Sequence, residues 1–148
     1  MERFSSREKQ PIEIGKLDVF DLDYFKSLER EDGWIAIGME NCKNQQYFTV
    51  CSERGEKLGI VGVYDTEKEK NITHTVVDPK FRRQGLAVKF KDKLMEKLSL
   101  LFLTVTIDLD NLSSIKSAEK NPNAKKISDE EYEKEYHKVK YRIDHAIQ

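Results

Sequence analysis

Val76-Val77-Asp78-Pro79-Lys80-Phe81-Arg82-Arg83-Gln84-Gly85-Leu86-Ala87 is the stretch that decides the fold. It closes a β-branched run, Ile72 to Val77, which reads as a strand. Asp78-Pro79 stops that strand, because proline has no N–H to donate and a fixed φ. From Gly85 the pattern changes period. Leu86, Phe90, Leu94 and Leu98, with Ala87 and Met95 alongside, mark the apolar face of a helix running to Leu98. A strand therefore ends, a turn rich in Arg and Gln follows, and a helix begins. The first turn of a helix leaves backbone N–H groups without intrahelical partners. With the positive end of the helix dipole they form an anion site. Gly85 lets an anion approach the backbone, Ala87 is small, and Arg82 and Arg83 add charge-assisted donors. The chemistry this describes is a diphosphate held at a helix N-terminus. It is not the Gly-Lys-Ser/Thr pattern of nucleotide hydrolases, nor the three-glycine dinucleotide fingerprint.

Downstream, the apolar run Leu100 to Leu109 predicts a central strand buried on both faces. Asn111 to Lys120 predicts a helix with Asn111 as its cap, ended by Asn121-Pro122-Asn123. Ser128 to Glu135 reads as a polar, acidic tail. His137 to Ile143 alternates through Val139, Tyr141 and Ile143 as a last strand. Upstream, Gln46 to Ser52 and Leu58 to Tyr64, joined by Glu53-Arg54-Gly55-Glu56, read as an antiparallel hairpin. Asp65 to Lys70 is a charged loop. Pro11 to Ile14 suggests a first strand, and Asp21 to Arg30 a helix capped by Asp21. Trp34 to Met39 is apolar between glycines and fits a strand or a short helix. The order hairpin, strand, helix, strand, helix, strand gives a mixed α/β sheet covered by helices.

Composition narrows the function. With 148 residues the chain suits one domain spanning 1–148, and its net charge of −1 lacks the basic excess of a general nucleic-acid binder. No apolar run is long enough for a bilayer, and Met1 to Gln10 lacks the apolar core of a signal peptide. Cys42 and Cys51 have neither metal-ligand nor redox spacing and read as thiols of a cytoplasmic protein. His74, His137 and His145 do not cluster as zinc ligands would, so no metal is expected.

The segment Arg82-x-x-Gly85-x-Ala87, led in by Val77-Asp78-Pro79-x-Phe81, resembles the acetyl-CoA signature of the GCN5-related N-acetyltransferases, Arg/Gln-x-x-Gly-x-Gly/Ala. Asn111-Leu112-Ser113-Ser114, leading to Glu119-Lys120-Asn121, is similar to that family's Asn-x-x-Ser/Ala helix. The resemblance covers about residues 46 to 143 and is strongest from 72 to 121. It implies an α/β (α+β) acyl-CoA acyltransferase fold: a mixed, mostly antiparallel twisted sheet with flanking helices. Two parallel strands, here Ile72–Val77 and Leu100–Leu109, would splay into a slot for the pantetheine arm.

By that resemblance the co-substrate is acetyl-CoA. Thr75 and Val77 would offer backbone groups to pantetheine, and Arg82, Arg83, Gln84, Gly85, Leu86 and Ala87 would cradle the pyrophosphate. Asn111 would hydrogen-bond the arm, with Ser114 a weaker candidate; Asn111 can also serve simply as a helix cap. The reaction would be direct attack of a small-molecule or peptide amine on the thioester. Thr73 and Asn71 stand where relatives often carry a base and cannot act as one. His74 is the candidate base, although strand alternation puts it on the face opposite Thr73 and Thr75. Ala118 stands where many relatives have a tyrosine acid, leaving Tyr141 on the last strand as the candidate. These departures keep a second reading open, a non-catalytic acyl-CoA-binding module on the same fold. Relatives are often dimers, so a homodimer is also expected.

Overall fold

The computed structural model describes residues 12–28 and 41–145. In chain order the elements are β1 (Ile14–Val19), α1 (Leu22–Leu28), β2 (Lys43–Ser52), β3 (Lys57–Asp65) and β4 (Ile72–Val77). There follow a 3-10 turn (Pro79–Phe81), α2 (Leu86–Leu98), β5 (Phe102–Asp108), α3 (Leu112–Lys120), β6 (Ala124–Lys126), α4 (Glu130–Tyr136) and β7 (Lys138–Asp144). One sheet holds all seven strands in the order β1-β2-β3-β4-β5-β7-β6. Every neighbouring pair is antiparallel except β4 and β5, which run parallel. This is the expected mixed, mostly antiparallel sheet with flanking helices.

Two faces follow from strand alternation. Val61, Leu103 and Ile143 pack under α2 against Leu86, Phe90, Leu94 and Met95, all buried, with Val77 and Val105 at the margin. Ile107, Val139 and Tyr141 pack under Ala118 of α3 on that same face. Each such aliphatic or aromatic side chain contributes about 1.5–3 kcal/mol by leaving water. The opposite face carries α1. There Phe25 lies edge-on to His74 at 6.2 Å, and Phe20 meets both Phe25 and Tyr47 at 5.8 Å. Gly62 is required here, since a Cβ on it would fall 1.9 Å from the Tyr47 ring.

Several boundaries differ from the sequence reading. The first strand begins at Ile14 and runs to Val19, while Pro11 lies outside the described residues. The helix after Asp21 is described to Leu28, and Trp34 to Met39 lie outside the described residues. β5 is not buried on both faces: Leu103, Thr104 and Ile107 are buried, but Thr106 and Asp108 are exposed. It has lost its neighbour on one side there, as described below. The polar tail is a helix, α4, whose cap is Asp129 accepting from the Tyr132 amide. Its apolar content reduces to Tyr132 and Tyr136, whose rings meet tilted at 4.7 Å, too little for a periodic signal.

Candidate functional site

The parallel pair β4/β5 shares a single ladder position, Ile72 opposite Thr104. It is reinforced by the Thr104 amide donating to the Asn71 carbonyl at 2.7 Å and by Asn71 Nδ2 donating to the Phe102 carbonyl at 3.1 Å. Beyond that pin the strands have no ladder partners on their facing edges among the described residues. The direction of the unpaired groups follows from the outer ladders. The Asp78 amide donates to the Leu58 carbonyl, extending the β3/β4 register in which Val77 opposes Gly59. Hydrogen-bonded pairs alternate in an antiparallel ladder. Val76, His74 and Ile72 therefore bond to β3, while Thr75 and Val77 turn N–H and C=O toward β5. On the other side, the bonds His145 N–H to Leu101 and Leu109 N–H to His137 set the β5/β7 alternation. Thr106 and Asp108 accordingly turn their backbone groups toward β4. The result is a V-shaped gap lined on both walls by peptide groups. Thr106 was missing from the sequence reading, because its direction depends on a β5/β7 register that no local pattern encodes.

At the open end of the gap lies the turn. Asp78 is 5% exposed and holds it: one carboxylate oxygen accepts from the Lys80 amide, the other from the Tyr24 hydroxyl at 2.8 Å. Burial, followed by the Asp78 carboxylate, pushes the Tyr24 phenol up, so it remains a donor. Tyr24 thereby ties α1 to the turn across the sheet edge, a link of 54 residues that sequence spacing cannot reveal. Arg83 and Gly85 both adopt left-handed conformations, φ 67° and 72°. Gly85 is the N-cap of α2, no side chain caps it, and a Cβ there would meet nothing within 4 Å. No hydrogen bond from the described residues outside α2 reaches the amides of Gly85, Leu86, Ala87 or Val88. Arg82, Arg83, Gln84 and Gly85 are exposed, Leu86 is buried and Ala87 half-buried. The Arg82 Nε donates to the Val77 carbonyl at 3.2 Å, leaving Val77 its N–H toward the gap.

The second predicted segment starts at the end of β5. Asn111 is exposed and caps α3, its Oδ1 accepting from the Ser114 amide at 3.3 Å and from the Ser113 hydroxyl at 3.4 Å. Its cap role is thus present, and it occupies the wall facing the Arg82–Ala87 turn in topology, at the open end of the same gap. Ser114 is half-buried in the first turn behind it.

The two candidate proton-transfer residues are not brought together. His74 lies on the α1 face against Phe25. Tyr141 lies on the α2/α3 face, 5% exposed, opposite Val105 on β7. Burial raises the Tyr141 phenol above its ordinary range, with Glu119 adding to the shift. Asp108, Asp110 and His137 are a possible ligand trio, but all three are exposed. His137 is engaged by Asp110 at 3.0 Å, and Lys138 lies 3.9 Å from Asp108, so the group reads as surface ion pairing. A depression of about 440 Å³ beside Gly15, Lys16, Asp18 and Cys51 includes none of the turn residues.

A family model described as the acetyltransferase (GNAT) family matches residues 17–121. The chain belongs to that family. The GNAT fold is also shown by solved structures. A chimera of the spermidine N-acetyltransferase SpeG from Vibrio cholerae and hSSAT superimposes with a TM-score of 0.64 at 11% identity, covering 88% of this chain and 95% of that one. Campylobacter jejuni N-acetyltransferase PseH in complex with acetyl coenzyme A gives 0.55 at 12% identity, covering 84% and 77%. No curated protein matches the sequence. No helix among the described residues is long and apolar enough to cross a membrane.

Proposed function

We propose that this GNAT protein, acting as one domain over residues 1–148, transfers the acetyl group of acetyl-CoA to a primary amine of a small molecule or peptide. The observation that carries this reading is the uncapped start of α2 at the mouth of the β4/β5 gap. Four amides that no group outside α2 reaches among the described residues, and two exposed guanidinium groups, stand where a diphosphate would bind, and the two strands behind them share one ladder position alone. The acyl-CoA complex of the structural neighbour PseH supports the same choice of co-substrate.

Each residue then has a physical task. The amides of Gly85, Leu86 and Ala87, with Arg82, Arg83 and Gln84, hold phosphate oxygens. Arg82 exchanges its contact with the Val77 carbonyl for the phosphate. Thr75, Val77 and Thr106 bond the amides of the pantetheine arm as an added strand would. Asn111 keeps its cap through Oδ1 and offers its Nδ2 to the arm, with Ser114 beside it. The acceptor amine approaches from the α1 face and attacks the thioester carbonyl carbon. The C–S bond breaks, the amine loses a proton, and the thiolate gains one. Unpaired strand N–H groups stabilise the carbonyl oxygen as charge develops.

The opposed placement of His74 and Tyr141 fits this division. His74 is on the face from which the amine would come, so it is the candidate to accept its proton. Tyr141 is on the face where the sulfur would lie, and its raised pKa keeps it protonated. The acceptor is selected on the α1 side.

The test has two parts. Acetyl-CoA should raise the thermal midpoint, because a ligand preferring the native state stabilises it. Turnover should then appear with at least one member of an amine panel. Binding without transfer to any amine would favour the alternative, a non-catalytic acyl-CoA-binding module. Absence of any shift would overturn both readings.

A further inference from the structure

Lys91 breaks the pattern of α2. Counting 100° per residue, the exposed Lys89, Lys93 and Glu96 lie on one side of the helix. Lys91 stands on the opposite side, between Leu98 and Met95, within the arc that also holds the fully buried Leu94. Its flanks, Leu86, Phe90, Leu94 and Met95, are buried. Lys91 and Ala87, between them, are only half-buried. The arc is closed at Phe90, Leu94 and Met95 and open at Ala87 and Lys91, so a gap lies beneath the Ala87–Lys91 stretch of the helix. The β4/β5 splay is that gap, since Thr73, Thr75, Val77 and Val105, which β4 and β5 turn toward α2, are half-buried too. The lysine stem runs back along the helix, as helical side chains do, toward the first turn. Its ammonium makes one hydrogen bond among the described residues, to the Ala87 carbonyl at 3.5 Å. That contact is long and uncharged, a poor partner for a desolvated cation.

We propose that Lys91 is a further ligand-binding residue of the cleft, whose ammonium leaves the Ala87 carbonyl to pair with a diphosphate oxygen of acyl-CoA from the sheet side of α2. The proposal rests on the acetyl-CoA reading above and deepens it. Arg82 and Arg83 meet the diphosphate from solvent; Lys91 meets it from within. Without the anion this half-buried cation has no carboxylate partner among the described residues. Burial pushes the Lys91 ammonium down to about 8, partly offset by Asp92 on the next position. Burial raises the Asp92 carboxyl, with His145 opposing the shift and Glu96 adding to it. The side chains that the packed strands turn toward α2, Val61, Val63, Thr73, Thr75, Val77, Leu103 and Val105, carry no ionisable group. Arg82 and Arg83 stand exposed in the turn at the cleft mouth, and Lys16 of β1 lines a groove with Lys93, Glu96 and Lys97 on the opposite side of α2.

The sign of the pH effect follows. A bound diphosphate favours the charged amine, so its pKa rises on binding. Below about pH 8 the amine is already charged and affinity is full. Above it, binding must take up a proton, and affinity falls by at most about tenfold per pH unit. Acetyl-CoA is the probe, because its thioester has no thiol to titrate in this range. Its Kd is measured by calorimetry between pH 7 and 9.5 for the native chain, Lys91→Met and Lys91→Arg. The native affinity should weaken with pH. Lys91→Met should bind about tenfold more weakly at pH 7 and be insensitive to pH. Lys91→Arg, charged throughout, should bind at pH 9.5 better than the native chain. Lys91→Met should also raise the thermal midpoint of the ligand-free protein, which a misfolded variant would not do. Equal Kd values for the native chain and Lys91→Met, with the same pH response, would overturn this inference and leave the acetyl-CoA reading standing. No acetyl-CoA binding by the native chain would overturn both.

Discussion

Two helix starts on the same face of the sheet are built in opposite ways. α3 begins with Asn111, whose side chain accepts from the first-turn amide of Ser114. α2 begins with Gly85, in a left-handed conformation, with no side chain to give. The short helices follow the first pattern: Asp21 accepts from the Tyr24 amide, Asp78 from Lys80 and Asp129 from Tyr132. A cap is worth about 1 kcal/mol, so its omission at α2 has a stability cost. The same omission leaves donors in place for an anion. A helix end that satisfies itself contributes to the fold; one that does not can contribute to binding.

That contrast can be broken most severely at its centre. Gly85→Glu should place a carboxylate where the phosphate would lie, and like charges brought together cost several kcal/mol. The acetyl-CoA thermal shift should vanish. Gly85→Ala sharpens the result, since its Cβ has open space and the cost is the left-handed strain alone, about 1–2 kcal/mol of stability. Retained binding in Gly85→Glu would show that the uncapped amides are not the anion site.

Asn111 separates capping from binding. Asn111→Ala should lose about 1 kcal/mol of stability along with affinity for acetyl-CoA. Asn111→Asp keeps the acceptor and removes the Nδ2 donor, so chemical denaturation should be nearly unchanged while the Kd rises. Equal Kd values for Asn111→Asp and the native chain would reduce Asn111 to a cap.

Tyr24→Phe asks whether the α2 start needs its support from α1. Removing a hydrogen bond to a charged group costs about 1.5–3 kcal/mol. The loss should appear in urea denaturation, with a rise in KM for acetyl-CoA and a smaller change in kcat. The smallest effect is expected far from the turn. Asp110 raises the His137 pKa above its ordinary 6.5, through a hydrogen bond first and charge second. A raised folded-state value gives stability that is full below 6.5 and is lost as pH rises through the folded value. A slight fall in thermal midpoint across that window should therefore disappear in His137→Asn. The pair is exposed, so a large change would contradict the surface reading.

Local chemistry made much of this legible in advance. Ile72 to Val77 was bounded correctly because β-branched residues end at a proline. Gly85 was legible as the start of α2 because strand, turn and helix signals converge on it. The family's signature residues lie in one contiguous run, so their proximity needed no tertiary knowledge. What escaped depends on distance along the chain or on register. Tyr24 meets Asp78 across 54 positions, and Thr106 faces the gap only because Leu101 pairs with His145. α4 escaped for another reason, since Glu130 to Tyr136 offers polar residues on all sides and only two tyrosines to anchor it. Lys91 sat within a well-read helix but was passed over as one lysine among several.

The one-residue pin between Ile72 and Thr104 has a consequence for exchange with solvent. A sheet interior normally shields its amides from deuterium, yet here the amides of Thr75, Val77 and Thr106 stand in the middle of seven strands without ladder partners among the described residues. They should label as fast as residues at a sheet's outer rim. A threaded acyl arm would slow them while Val76 and His74, already bonded to β3, stay as they were. Occupancy of the cleft would then be readable amide by amide, alternating along β4 with the two-residue period of the strand.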